Sequence, residues 1–156
     1  MSQLNPGELF RSVTQGILVH RAAATVAADQ DLFSIDVGNI LLLGLWGRVT
    51  VAIGSGSQDL AMHLDPDDGG GNVVIGDAST PLLVDNAVVG NYITLNPTFA
   101  ADLVLTLDYA ANGMLATPLI FEKGDIVLDI TGSQAGEIEW WVVYVPIEDG
   151  AVLTAV

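Results

Sequence analysis

The residues of this chain that are best suited to chemistry are oxygen donors and aromatic rings. Asp65-Pro66-Asp67-Asp68-Gly69-Gly70-Gly71-Asn72 is oxygen-rich and has the look of a calcium loop. The helix-loop-helix version of such a loop needs oxygen ligands at alternate early positions and a closing Glu. Counted from Asp65, the fifth residue is Gly69 and the twelfth is Gly76, so the pattern fails and the segment is expected to be an acidic hairpin turn. His20 and His63 are the only histidines, and neither lies in a motif. A zinc site takes about four ligands, and with no cysteine in the chain at least half would have to be carboxylates. Ser55, in Gly54-Ser55-Gly56, lacks the strand-to-helix setting of a nucleophile elbow. Gly54-Ser55-Gly56 and Gly69-Gly70-Gly71 are not followed by Lys-Ser/Thr, so neither makes a phosphate loop. Among nineteen acidic residues chance pairs are expected, so proximity alone does not indicate a glycosidase couple. No enzyme activity, cofactor or metal site is expected.

The remaining chemical feature is Trp140-Trp141, inside Glu137-Ile138-Glu139-Trp140-Trp141-Val142-Val143-Tyr144-Val145. Tryptophan faces suit sugar rings, but adjacent residues of a strand point to opposite sides, so this pair cannot form one platform. Ile138, Trp140, Val142 and Tyr144 share one face; Trp141, Val143 and Val145 share the other. From Trp140 to Val145 neither face is polar, so both faces of this strand are expected to be covered. One tryptophan belongs to the core and the other to an interface or a second layer.

The elements around this strand are also β. Turn signals recur at Val37-Gly38-Asn39, Asp67–Asn72, Val89-Gly90-Asn91, Asn112-Gly113, Lys123-Gly124-Asp125 and Thr131-Gly132-Ser133, with short β-rich runs between them. Strands are expected at 32–37, 40–53, 59–64, 72–75, 92–95, 102–109, 119–121, 125–131 and 137–145. Leu103, Leu105 and Leu107 alternate with outward residues, as do Ile126, Leu128 and Ile130. These residues, with Trp140, are the expected core. Only the strand through Ile40–Trp46 shares the doubly apolar character of the C-terminal one. The fold class is therefore all-β, a β-sandwich or jelly-roll-like single domain.

Composition bounds the partners. Hydrophobic residues make up 51% and charged ones only 15% of 156 residues. So few charges leave apolar surface uncovered on a small body, which points to an oligomer or larger assembly. Arg11, Arg21, Arg48 and Lys123 face nineteen acidic residues, for a net charge of -15. Without a basic cluster to neutralise phosphates, nucleic acid is not an expected partner, and repulsion disfavours anionic membranes. The longest apolar run, Ile40–Trp46, is far shorter than the roughly 20 residues of a membrane helix.

Residues 1–28 differ in character. Leu9-Phe10 and Gly16-Ile17-Leu18-Val19 are apolar spots, whereas Ala22–Ala28 is made of small residues. The segment is read as an extended N-terminal arm, with the sandwich occupying 29–156. A first strand or a short helix is the simpler alternative.

Two stretches resemble a known family. Leu32-Phe33-Ser34-Ile35-Asp36-Val37-Gly38-Asn39-Ile40, continuing through Leu45-Trp46-Gly47-Arg48-Val49-Thr50, is the first. The second runs from Gly136 to Val152, through Ile138, Trp140, Tyr144, Pro146, Gly150 and Ala151. Both are similar to segments of the capsid decoration proteins (cement or head auxiliary proteins) of tailed bacteriophages. Asp36-Val37 and Ile147 depart from the family's usual residues. The resemblance implies a structural virion protein, a homotrimer on the outer capsid surface that ties subunits of the major capsid protein together. The alternative is a head-fibre or tail-associated protein that binds a host carbohydrate. Interface candidates are Leu9, Phe10, Arg11, Arg21, Trp46, Trp141, Val143 and Val145.

Overall fold

A computed structural model of the chain describes residues 15–26, 28–56, 58–76, 82–96, 103–106, 114–132 and 135–156. It is all-β. The strands are β1 (Ile17–Thr25), β2 (Gln30–Val37), β3 (Ile40–Val51), β4 (Asp59–Pro66), β5 (Val73–Gly76), β6 (Leu82–Leu83), β7 (Tyr92–Thr94), β8 (Val104–Thr106), β9 (Met114–Phe121), β10 (Gly124–Thr131), β11 (Glu137–Pro146) and β12 (Val152–Ala155). They form two six-stranded sheets packed face to face as a β-sandwich. Sheet A runs β1-β11-β3-β7-β8, with β9 also on β3; sheet B runs β12-β2-β10-β4-β5, with β6 also on β4. Every pairing is antiparallel.

Alternation builds the core. Ile126, Leu128 and Ile130 of β10 point inward beside Leu60, Met62 and Leu64 of β4, and all are buried. From sheet A, Ile40, Leu42, Leu45 and Val49 meet them together with Ile138, Trp140 and Val142. Leu103 is also buried and Leu105 packs against the same cluster; Leu107 lies outside the described residues. In β2 the register slips between Phe33 and Asp31, so Leu32 is an extra residue. Such a bulge lets two successive side chains turn inward, and Leu32 and Phe33 are both fully buried.

Gly47 is required by its neighbour. It sits opposite Trp140 in the ladder, and a Cβ there would lie 2.8 Å from Trp140 Cε3 and 2.8 Å from Ile138 Cγ2. The missing side chain is the space into which the Trp140 indole packs.

One sequence expectation needs correction. Residues 17–25, read with the arm, are the edge strand β1, paired with β11 from Ile17↔Tyr144 to Thr25↔Glu137 with one bulge between Arg21 and Ala24. The sandwich therefore begins before residue 29. The ladder breaks at Ala22-Ala23, and the pairings on either side of the bulge, with the inward Ile17 and Val19, hold the strand. Residues 1–14, including Leu9, Phe10 and Arg11, lie outside the described residues.

Candidate functional site: the outer face of sheet A

The two doubly apolar strands of the sequence, β3 and β11, are hydrogen-bonded neighbours in the middle of sheet A. Their inner faces supply the core, so their remaining apolar residues face outward together. The rows can be followed from one end of the sheet to the other. At one end Ile120, Leu41 and Val145 lie side by side across β9, β3 and β11. Next come Leu18 and Val143, register partners on β1 and β11, with Leu43 close by. Gly16 rests on this row; a Cβ on it would come within 2.6 Å of Val143 Cγ1 and 3.0 Å of Leu43 Cδ1. Val143 is thereby buried, while Leu18 remains 59% exposed.

The third row is aromatic. His20, Trp141 and Trp46 are cross-strand partners on β1, β11 and β3. His20 stacks on Trp141 with ring centroids 4.9 Å apart, and Trp141 stacks on Trp46 at 6.2 Å. Since His20 and Trp46 lie on opposite sides of Trp141, both faces of the central indole are occupied.

The fourth row is charged. Glu139 pairs in register with Arg48, with Oε1 2.6 Å from Arg48 Nη2 and Oε2 3.3 Å from His20 Nε2. The guanidinium carbon of Arg48 lies 5.9 Å from the Trp141 ring, within cation–π range. Beyond Arg48 a shallow groove of about 400 Å³ is lined by Thr50, Tyr92, Gly90 and the exposed Val89. The outer face of sheet A thus grades from aliphatic through aromatic to one compensated ion pair.

Sheet B is different on its outer side. Asp31, Asp36, Asp59, Asp65, Asp125 and Asp129 project from β2, β4 and β10, and Asp65 stands directly opposite Asp125. His63 Nδ1 lies 2.7 Å from Asp129 Oδ2. Asp67–Asn72 joins β4 to β5 as a hairpin turn, where Asp67 pairs with Lys123 at 2.6 Å. Among the described residues no three metal-ligating side chains are gathered.

Of the interface candidates, Trp46 and Trp141 share one half-buried surface, with Val143 forming part of its floor and Val145 beside Leu41. Arg21 is elsewhere. It points inward at the sandwich edge, and its Nε donates to the Val156 carbonyl at 2.9 Å. Burial pulls its pKa below the ordinary arginine value, and Asp31 works against that shift. Sequence reasoning set Trp141 apart from Trp140 but did not join it to Trp46. It also missed His20, Arg48 and Glu139, whose proximity depends on strand register. The available signal was the shared doubly apolar pattern of β3 and β11, which predicts neighbours.

No family model matches the chain, and no curated protein or solved structure matches it.

Proposed function

We propose that this protein is a structural assembly module, a capsid decoration protein that trimerises through the outer face of sheet A and braces major capsid subunits on the outside of a virion. The observation that carries the reading is the Trp46–Trp141 stack in the middle of an otherwise aliphatic sheet face. Large aromatics concentrate the binding energy at interface centres, and the internally compensated Arg48–Glu139 pair gives this face a polar edge. Charge supports the same face. Two bodies of net charge -15 meet most readily through surfaces poor in carboxylates, and among the described residues sheet A offers one where sheet B does not. The virion setting comes from the resemblance of 32–50 and 136–152 to decoration proteins. The arrangement favours protein contact over sugar stacking, because both faces of Trp141 are already taken.

Two measurements test this. Sedimentation should give about three times the 16.3 kDa chain mass, falling to one chain for Trp141→Ala. Gel densitometry of purified particles should find the protein at a copy number comparable to that of the major capsid protein. A monomer, or a few copies per particle, would overturn the proposal.

A further inference from the structure

Two turns at one end of the sandwich carry the chain between the sheets. Val37-Gly38-Asn39 takes it from β2 of sheet B to β3 of sheet A, and Ile147–Ala151 returns it from β11 to β12. These turns are bound to each other. The Asn39 backbone N–H donates to Glu148 Oε2 at 3.1 Å, and Asn39 Nδ2 donates to Glu148 Oε1 at 2.7 Å. The Ile147 N–H donates to the Asn39 carbonyl at 3.1 Å, and the Ala151 N–H to the Glu148 carbonyl at 3.1 Å. Gly38, at φ +65°, completes the fit, since a Cβ there would lie 3.0 Å from Glu148 Oε2 and 3.1 Å from Ala151 Cβ.

This rigid corner presents apolar side chains to water. Val37 is 50% exposed, Ile147 49% and Val152 38%. Val37 and Val152 are register partners, and Ile147 is tied to Asn39 two residues from Val37. Scattered exposed apolar residues are ordinary, but Val37 and Val152 are neighbours across the ladder, Ile147 lies on the turn bonded to theirs, and the backbone of all three is already fixed. Contact with a partner would order little that is still free, which lowers the cost of binding. The flanking residues are acidic: Asp36 precedes Val37, Glu148 and Asp149 follow Ile147, all three are exposed, and Lys123 is paired with Asp67.

We infer that this corner is a second docking surface, distinct from the outer face of sheet A, and that it seats a partner surface with an apolar centre and a Lys/Arg rim. Its acidic border disfavours another copy of the same acidic chain and suits a basic-rimmed protein. The inference rests on the proposed role in assembly and assigns the corner to the shell contact, leaving the outer face of sheet A to self-association. The occupied Glu148 holds the shape, whereas Asp149 is the exposed charge that meets the basic rim.

The test uses empty shells of the accompanying major capsid protein as the probe. V37S/I147S changes only exposed side chains, so it should keep the sedimentation mass and melting temperature of the native protein. Its affinity for shells should fall about tenfold or more. D149N should bind with a weaker salt dependence than the native protein. If V37S/I147S binds shells as tightly as the native protein, the corner is not the docking surface. If the native protein itself does not bind shells, the decoration reading fails and this assignment fails with it. If V37S/I147S becomes monomeric, the corner belongs to self-association and the inference is overturned.

Discussion

Arg21 and Val156 stand 135 residues apart and are joined by a 2.9 Å hydrogen bond from Nε to the carbonyl oxygen. The bond links the first strand of sheet A to the residue that follows the last strand of sheet B, and so closes one open side of the sandwich. Val156 is held in turn by its own N–H to the Leu32 carbonyl at 3.2 Å. Among the described residues Arg21 Nη1 is buried without a hydrogen-bond partner, so the side chain serves the fold through one strong contact. Arg21→Met should therefore lower stability by about 1–2 kcal/mol and leave the oligomeric state unchanged. Chemical denaturation and sedimentation of the same variant check the two halves of that statement.

Removal of residues 1–28 should be far more damaging than removal of residues 1–14. The longer deletion takes away β1, uncovers the edge of β11 and strips Ile17 and Val19 from the core. A long unpaired apolar edge invites aggregation. Thermal unfolding and light scattering of the two truncated chains should separate them clearly. Comparable melting temperatures would mean that β1 contributes little.

Gly47→Ala should destabilise by about 1–3 kcal/mol, the usual cost of overpacking a filled core. The new methyl would meet Trp140 and Ile138 at 2.8 Å. The Trp140 environment reports the clash directly, so near-ultraviolet circular dichroism should change along with the denaturation midpoint.

The adjacent tryptophans should part company under mutation. Trp140 is buried in the core, and Trp140→Ala should cost about 3–5 kcal/mol. Trp141→Ala removes a stacked, half-buried ring, and should cost only about 0.5–1.5 kcal/mol while abolishing self-association. Equal losses of stability with intact oligomers would contradict the proposed role of the outer face.

Sequence alone revealed the fold class because the period-two alternation of Leu103, Leu105 and Leu107 and of Ile126, Leu128 and Ile130 is strong and turn residues bracket it. The core at Ile126, Leu128, Ile130 and Trp140 follows from the same alternation. Three strands are absent from the expected set for separate physical reasons, with β1 figuring only as the alternative to an arm. β1 is built partly of alanines that carry no strand signal, β6 is only Leu82–Leu83, and β12 lies immediately after a turn at the end of the chain. The aromatic row of His20, Trp141 and Trp46 was invisible because it depends on which strands are neighbours and in what register. A slip of one residue would send Trp46 to the other face. The Asn39–Glu148 weld was hidden in the same way, although both residues fall within the two family-like stretches.

Self-association should tighten as salt rises. Each chain carries a net charge of -15, so bringing copies together is opposed by repulsion that salt screens over about 10 Å at 0.1 M. Docking of the corner onto a basic-rimmed partner should show the opposite sign. Titration of both equilibria across the same salt series distinguishes the two surfaces without mutation.

The unequal outer faces of the two sheets also bear on events before any contact forms. Among the described residues, six aspartates lie on the strands of sheet B, whereas the outer face of sheet A carries the mutually compensated Glu139 and Arg48, so charge is distributed unequally across the thin dimension. In the field of another negatively charged body such a molecule rotates as it diffuses, turning its carboxylate side away. Encounters then begin with the tryptophan side leading. If the outer face of sheet A is the self-association surface proposed above, a larger share of collisions starts in a productive orientation, and the association rate gains from carboxylates carried on the opposite sheet.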